Sequence, residues 1–287
     1  MEVVVCETPA EVASAVGHHV CKLVQDKPTA VIGFATGRSP VLTYHDVIRR
    51  AALNGVNFAK VQAVMLDEYL GLSDDHESLF RNVLRPYLRE MGIADDHLLA
   101  LPNQFPDDEH APVDEGLRER CDWFEKELER LGGVDLQLLG IGAGGHIGFN
   151  EPTSSLSSRT RVKTLSPETK VANAPSFAKV EWLFSEGGAG PRILDGHDGV
   201  PVHVVTQGIG TILESKHVIL IATGSEKAPI VAKAVEGPIT ALVPASALQL
   251  HRHATVVIDE EAAQDLELLD YYREIQKTKR YIQPRIT

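Results

Sequence analysis

Residues 135–141, DLQLLGI, followed by residues 142–152, GAGGHIGFNEP, form the stretch on which the fold turns. A short apolar run bounded by glycine reads as a strand covered on both faces. Five glycines between positions 140 and 148 then give a backbone that ordinary residues would strain. His146 and Glu151 are the polar residues of an otherwise apolar segment. A lone histidine in such a place is more often packed in a core. With a carboxylate five residues on, the imidazole can instead be oriented and made more basic. No GxSxG elbow, HExxH pair or His/Cys cluster occurs, which argues against a serine hydrolase and a metal centre.

The same strand-loop-helix rhythm extends in both directions. Residues 1–6 read as a strand and 8–24 as a helix, with Thr8 as N-cap and Pro9 in the first turn. Strands follow at 29–35 and 61–66, and helices at 40–53, 78–91 and 113–131, closing near Gly55, Gly92 and Gly132. Beyond the central stretch come strands at 202–206, 218–222 and 255–258, and helices near 226–235 and 260–276. This alternation predicts an α/β fold: a mainly parallel open sheet with helices on both faces, doubly wound and Rossmann-like. Residues 1–287 are expected to form one domain. A glycine-rich insertion at about 185–201 reads as a long loop or flap.

In such sheets ligands sit outside the carboxyl ends of the strands. Three loops leave those ends here: ATGRSP (35–40), LDEYLGL (66–72) and the glycine-rich loop. In the first, Gly37 allows close approach, the helix start offers N–H groups to an anion, and Thr36, Arg38 and Ser39 add donors. The bland alternative is an ordinary capped turn. In the second, Asp67 and Glu68 are adjacent and, on a strand, point to opposite faces. They read either as surface charge with helix capping or as a general base with one carboxylate in the pocket.

Composition bounds the partners. The net charge is −12 over 287 residues, which argues against non-specific nucleic-acid binding but not against a small anion in a local positive pocket. No apolar run approaches a membrane span, and the first residues read as a strand, not a signal peptide. Cys6, Cys21 and Cys121 stand far apart, so a disulfide framework and a zinc site are not expected and a reducing cytoplasm is.

HIGFNEP, LDEYLGL and ATGRSP in their spacing, with residues 154–173, GIGTIL (208–213), TGSEKA (223–228), VEGPITA (235–241) and PASALQLH (244–251), resemble the glucosamine-6-phosphate deaminase (isomerase) family. The resemblance covers nearly the whole chain. It implies conversion of glucosamine 6-phosphate to fructose 6-phosphate and ammonia without a cofactor, by a cytoplasmic hydrolase of amino-sugar catabolism. By resemblance, Asp67 moves the C2 proton, His146 handles ring opening and Glu151 supports His146. Thr36, Gly37, Arg38, Ser39, Gly142 and Lys227 fall on substrate- or phosphate-binding positions. Arg161 and Lys163 match an effector segment of some members, and a homo-oligomer stays open.

Two positions depart from the pattern. Gly144 stands where the family has Asp or Asn, and Pro175 where it has a phosphate-binding arginine; Arg38 and Arg192 are the candidate substitutes. These departures keep open another amino-sugar phosphate as substrate, or a sugar-phosphate-binding homologue without turnover. The related lactonases of 6-phosphogluconate are less well matched by LDEY followed by HIGFNEP.

Overall fold

The computed structural model describes residues 1–104, 113–177, 180–183, 190–193 and 200–279. Its strands are Glu2–Cys6 (β1), Val31–Phe34 (β2), Gln62–Met65 (β3), Asp67–Tyr69 (β4), Leu98–Leu99 (β5), Leu136–Leu139 (β6), Arg161–Thr164 (β7), Val180–Leu183 (β8), Gly190–Ile193 (β9), His203–Thr206 (β10), Val218–Ala222 (β11) and Ala254–Asp259 (β12). Seven of them form one sheet in the order β1-β12-β11-β6-β2-β3-β5. Every pairing in it is parallel. The helices are Pro9–Asp26 (α1), Arg38–Asn54 (α2), Phe80–Met91 (α3), Val113–Arg130 (α4), Pro167–Asn173 (α5), Ile209–Leu213 (α6), Ala228–Val235 (α7), Glu260–Ala263 (α8) and Leu269–Lys279 (α9).

Alternating strand residues feed two cores. Ile219, Ile221 and Val257 pack with Val16 and Val20 of α1, Val47 of α2 and Phe124 of α4. Leu220, Val256 and Ile258 pack with Val231 of α7, Leu248 of the 3-10 segment Pro244–Leu250 and Ala262 of α8. Burial on both faces is why these strands are nearly all apolar. Local signals work as the sequence implies. Thr8 Oγ1 accepts the Glu11 N–H at 3.2 Å and Pro9 opens α1. Gly55 closes α2 in the left-handed region, as Gly92 closes α3.

Several expectations need correction. Helix α2 starts at Arg38, so Arg38 and Ser39 belong to its first turn. Asp67–Tyr69 is not simply a loop after the third strand. It pairs antiparallel with β10, which also pairs with β7, in a separate three-stranded sheet. Residues 202–206 therefore leave the main sheet. The expected loop at 185–201 contains β9, paired antiparallel with β8; residues 184–189 and 194–199 lie outside the described residues. The single helix expected at 260–276 is split into α8 and α9.

The two ends of the main sheet are treated differently. At the β1 edge, Gln276 of α9 accepts the Val5 N–H at 3.0 Å and donates to the Val5 carbonyl at 3.1 Å. At the amino ends of the strands, Asp135 draws in Lys27 at 2.6 Å, Lys216 at 2.7 Å and the Val31 N–H at 2.8 Å. It thereby joins the starts of β2, β6 and β11. Burial alone would raise its pKa; the bonds from Lys216, Lys27 and Val31 outweigh that and hold it below the ordinary aspartate range. A depressed carboxylate stabilises above its unfolded pKa, and that contribution disappears as pH falls through the folded one. Asp135→Asn should cost about 1.5–3 kcal/mol at neutral pH, the scale of a hydrogen bond to a charged group. Denaturant titrations should show the difference from wild type shrinking below about pH 4.

Candidate active site

Four neighbouring parallel strands, β11, β6, β2 and β3, send their carboxyl ends to one edge of the sheet. The chain runs outward from β2 through β3 to β5, then returns to place β6 on the other side of β2. That reversal opens a crevice of the kind in which open α/β sheets bind ligands. After β2 come Thr36–Ser39, after β3 comes Asp67, after β6 the glycine-rich loop, and after β11 the turn with Lys227.

Gly37 is the N-cap of α2, with φ 123° and no side-chain cap bond. The first N–H groups of α2 are thus left to a ligand or solvent. Tyr44, one turn into α2, donates to the Ala35 carbonyl at 2.5 Å and accepts its N–H at 3.2 Å, which sets the entry to this loop. The Arg38 side chain and that of Arg192 on β9 lie outside the described residues. Pro175 occupies an exposed turn at Ala174–Ser176.

Asp67 and Glu68 are both buried, and their fates differ. Glu68 Oε1 accepts the N–H groups of Tyr69 and Phe80 at 2.9 Å, and Oε2 that of Arg81 at 3.0 Å. It caps α3, whose own N-cap residue Leu79 supplies no side chain. Burial raises the Glu68 pKa, opposed by those three bonds and by Arg81. The Asp67 pKa is pushed up to about 8 by burial and, after it, by the charge of Glu68. Capping and base, which the sequence offered as alternatives, are thus two chemical environments on successive residues.

The glycine-rich loop folds back on itself, with the Gly142 N–H donating to the His146 carbonyl at 3.0 Å. A Cβ at Gly142 would stand 1.9 Å from His146 Nε2. Only glycine lets the ring lie against the backbone there. His146 Nδ1 faces Glu151 Oε2 at 3.7 Å and has no hydrogen-bond partner among the described residues. Burial lowers the His146 pKa, Glu151 raises it less and Lys227 lowers it further. The ring is therefore neutral near pH 7, able to accept a proton on one nitrogen and donate from the other. Lys227 Nζ donates to the Ile141 carbonyl at 3.0 Å, at the root of the same loop.

The strand bearing Asp67 and the loop bearing His146 are locked together. Thr206, the register partner of Asp67 on β10, accepts the Phe149 N–H at 3.1 Å. Asn150 donates to the Ile147 and Gln207 carbonyls and accepts from Arg161 at 2.9 Å. Tyr69, Phe80 and Phe149 pack with centroids 4.8–5.7 Å apart. His146, Glu151, Gly142 and Lys227 are thus gathered around one loop; the Asp67 strand is braced to that loop through Thr206, and Thr36–Ser39 leave β2 at the same edge of the sheet. Arg161 is tied to Asn150 from behind the loop. Thr206 and Asn150 escaped sequence reasoning as supports, whereas Glu68 was offered as a helix cap without being told apart from Asp67. Among the described residues, no three or more His, Cys, Asp or Glu side chains are grouped to hold a metal ion.

Comparison with known proteins agrees with this architecture. A family model described as glucosamine-6-phosphate isomerases/6-phosphogluconolactonase matches residues 7–167. A glucosamine-6-phosphate deaminase of Rhodococcus jostii (strain RHA1) is 44% identical over 274 residues, 95% of each chain. One from Streptomyces coelicolor is 44% identical over 275 residues, again 95% of each. Among solved structures, a monomeric glucosamine-6-phosphate deaminase superposes with a TM-score of 0.80 at 37% identity, covering 92% of this chain and 100% of its own. A 6-phosphogluconolactonase from Leishmania guyanensis, at 20% identity and TM-score 0.65 over 92% and 97% of the two chains, shares the fold. These names correct the expectation of a hydrolase. The full-length relatives are named as deaminases, and the family model as glucosamine-6-phosphate isomerases/6-phosphogluconolactonase. Sheet order, loop placement and near full-length identity converge: the chain belongs to the glucosamine-6-phosphate isomerase/6-phosphogluconolactonase family.

Proposed function

We propose that this chain converts glucosamine 6-phosphate and water to fructose 6-phosphate and ammonia. The observation that carries the reading is a buried carboxylate of raised pKa, Asp67, on a strand fastened to the loop that holds the His146–Glu151 pair. The identity to deaminases over 95% of both chains supports the substrate.

In this reading the phosphate lies at the start of α2, against Thr36, Gly37, Arg38 and Ser39, with Lys227 nearby. Neutral His146 relays the proton from O1 to O5 as the ring opens, with Glu151 stabilising the imidazolium that forms. Asp67 takes the C2 proton and returns it to C1, while O1 gains a proton and the amine loses one, which turns the amino aldehyde into a ketimine. Water adds to C2 of the ketimine and ammonia leaves. A carboxylate that shuttles a proton between adjacent carbons needs no cofactor. The substrate is a small amino-sugar phosphate, and we place the reaction in the cytoplasm. No helix of the described residues is long and apolar enough to cross a membrane. The whole chain acts as one domain in this scheme.

Purified protein given glucosamine 6-phosphate should release ammonia and fructose 6-phosphate in equal amounts. Binding without turnover would favour the sugar-phosphate sensor, and turnover only with the galactosamine isomer would move the substrate.

Asp67→Asn should lower kcat roughly 10²–10⁴-fold, the usual contribution of a general base. In the wild type, kcat/KM should rise with pH through about 8 as Asp67 ionises. Stability carries the opposite sign. From about pH 4 to 8 the native state holds a proton that the unfolded chain releases, so wild-type stability falls as pH rises. The melting-temperature advantage of Asp67→Asn over wild type should therefore grow across that window. An acid limb near pH 4 would remove Asp67 as the titrating base.

A Cβ at Gly144 would meet Pro152 at 3.5 Å and His146 Nδ1 at 4.0 Å, ordinary contacts. A side chain can thus start there beside Nδ1, the nitrogen that has no partner among the described residues. Gly144→Asp should raise kcat on glucosamine 6-phosphate if ring opening limits the rate. A flat or lower kcat would mean that the pocket is set for another sugar phosphate.

A further inference from the structure

Residues 166–169, Ser-Pro-Glu-Thr, open α5 with the same cap-and-proline signature as Thr8–Pro9. Ser166 Oγ accepts the Thr169 N–H at 3.2 Å. The same oxygen lies 3.3 Å from Glu151 Oε1 and 3.2 Å from Thr169 Oγ1. A serine hydroxyl has one proton to give, and a carboxylate only accepts. Glu151 Oε1 and Thr169 Oγ1 are both placed to accept that proton; the carboxylate is the stronger acceptor, and the Thr169 N–H turns back on Ser166. The other Glu151 oxygen faces His146 Nδ1 at 3.7 Å. One carboxylate is thus shared between the imidazole and the cap of α5.

The far end of α5 is tied as well. Asn173, its last residue, lies close enough to the Tyr69 hydroxyl, two positions beyond Asp67, to lower its pKa slightly against the effect of burial. Leu165, just before the cap, packs in the same small core as Tyr69 and Phe149. This seven-residue helix runs from the His146–Glu151 pair to the strand that carries Asp67.

We propose that Ser166 is a positioning residue of the reaction: its hydroxyl fixes the Glu151 carboxylate toward His146, and α5 links that setting to the Asp67 strand. The inference rests on the roles given to His146 and Glu151 in the deaminase reading. Ser166 touches no substrate atom in it; it acts through Glu151.

Three variants separate this role from simple helix capping. Ser166→Ala loses both the cap and the bond to Glu151. Ser166→Asp keeps the cap, since aspartate caps about as well as serine, but sets a carboxylate against Glu151. Ser166→Thr keeps both. The expected kcat on glucosamine 6-phosphate falls roughly ten-fold in Ser166→Ala, the scale of one lost bond to a charged group, with KM changed less than about two-fold. It falls further in Ser166→Asp despite the higher melting temperature of that variant, and returns to within about two-fold of wild type in Ser166→Thr. A kcat that simply follows melting temperature across the three, or full activity in Ser166→Asp, would overturn the proposal. The His146 imidazole resonances give a readout that needs no turnover. They should shift in Ser166→Ala and Ser166→Asp and stay in Ser166→Thr. If the wild type releases no ammonia, the deaminase reading fails and the resonances alone decide; if they stay put in every variant, the positioning role fails. Should Ser166→Asp not fold, the Ala and Thr pair decides on the same two readouts.

Discussion

A carboxylate taken out of water must be met by donors or lose its charge. Glu68 is met by three N–H groups, two of them at the open end of α3. That contact holds β4 against α3 and brings Phe80 onto Tyr69. Through Tyr69 it seats the small aromatic core beneath the second sheet. Asp67, one residue earlier, has its charge burdened by burial and by Glu68 itself. The two carboxylates thus differ: the one with the donors anchors the strand, and the other, with no donor among the described residues, has its pKa pushed up to about 8.

The second sheet explains why this division persists. β10 ends at Thr206, and Thr206 with the next residue, Gln207, bonds the glycine-rich loop on one side and the end of β3 on the other. Asp67 and the His146 loop leave different strands of the main sheet, yet they are cross-braced by a strand that belongs to neither. A ring packed on Gly142 and a carboxylate on β4 can then keep a fixed relation without touching each other.

Much of this was legible in the sequence. The apolar strands, the capped helices and the loops at strand ends follow from periodicity and from Gly, Pro and Thr at the right places. The His146–Glu151 pairing follows from the glycine-rich loop placed after a buried strand; Asp67 was joined to it only by the expected meeting of loops at strand ends and by the family resemblance. The second sheet was not legible. Asp67–Tyr69 and His203–Thr206 are three and four residues long, and their partner strands lie far away in sequence, so no local pattern announces the pairing. Glu68 was read with its neighbour because alternation says only that two residues face apart, not what each meets. Ser166 carried a visible signal, the serine-proline start of a helix, but the signal spoke of capping. Its second partner, Glu151, lies fifteen residues away and emerges only in three dimensions. At 185–201, glycine content suggested a loop although part of the stretch pairs as a hairpin with β8.

The side-chain amide of Gln276 grips both polar groups of Val5 on β1. An amide has the donor and acceptor of a peptide unit, so it stands in for one residue of an eighth strand. A border strand with open backbone groups is a template for recruiting foreign chains. Here the last helix has already answered that template at one rung, and an invading strand would first have to evict Gln276. α9 thus helps guard the β1 edge against runaway association.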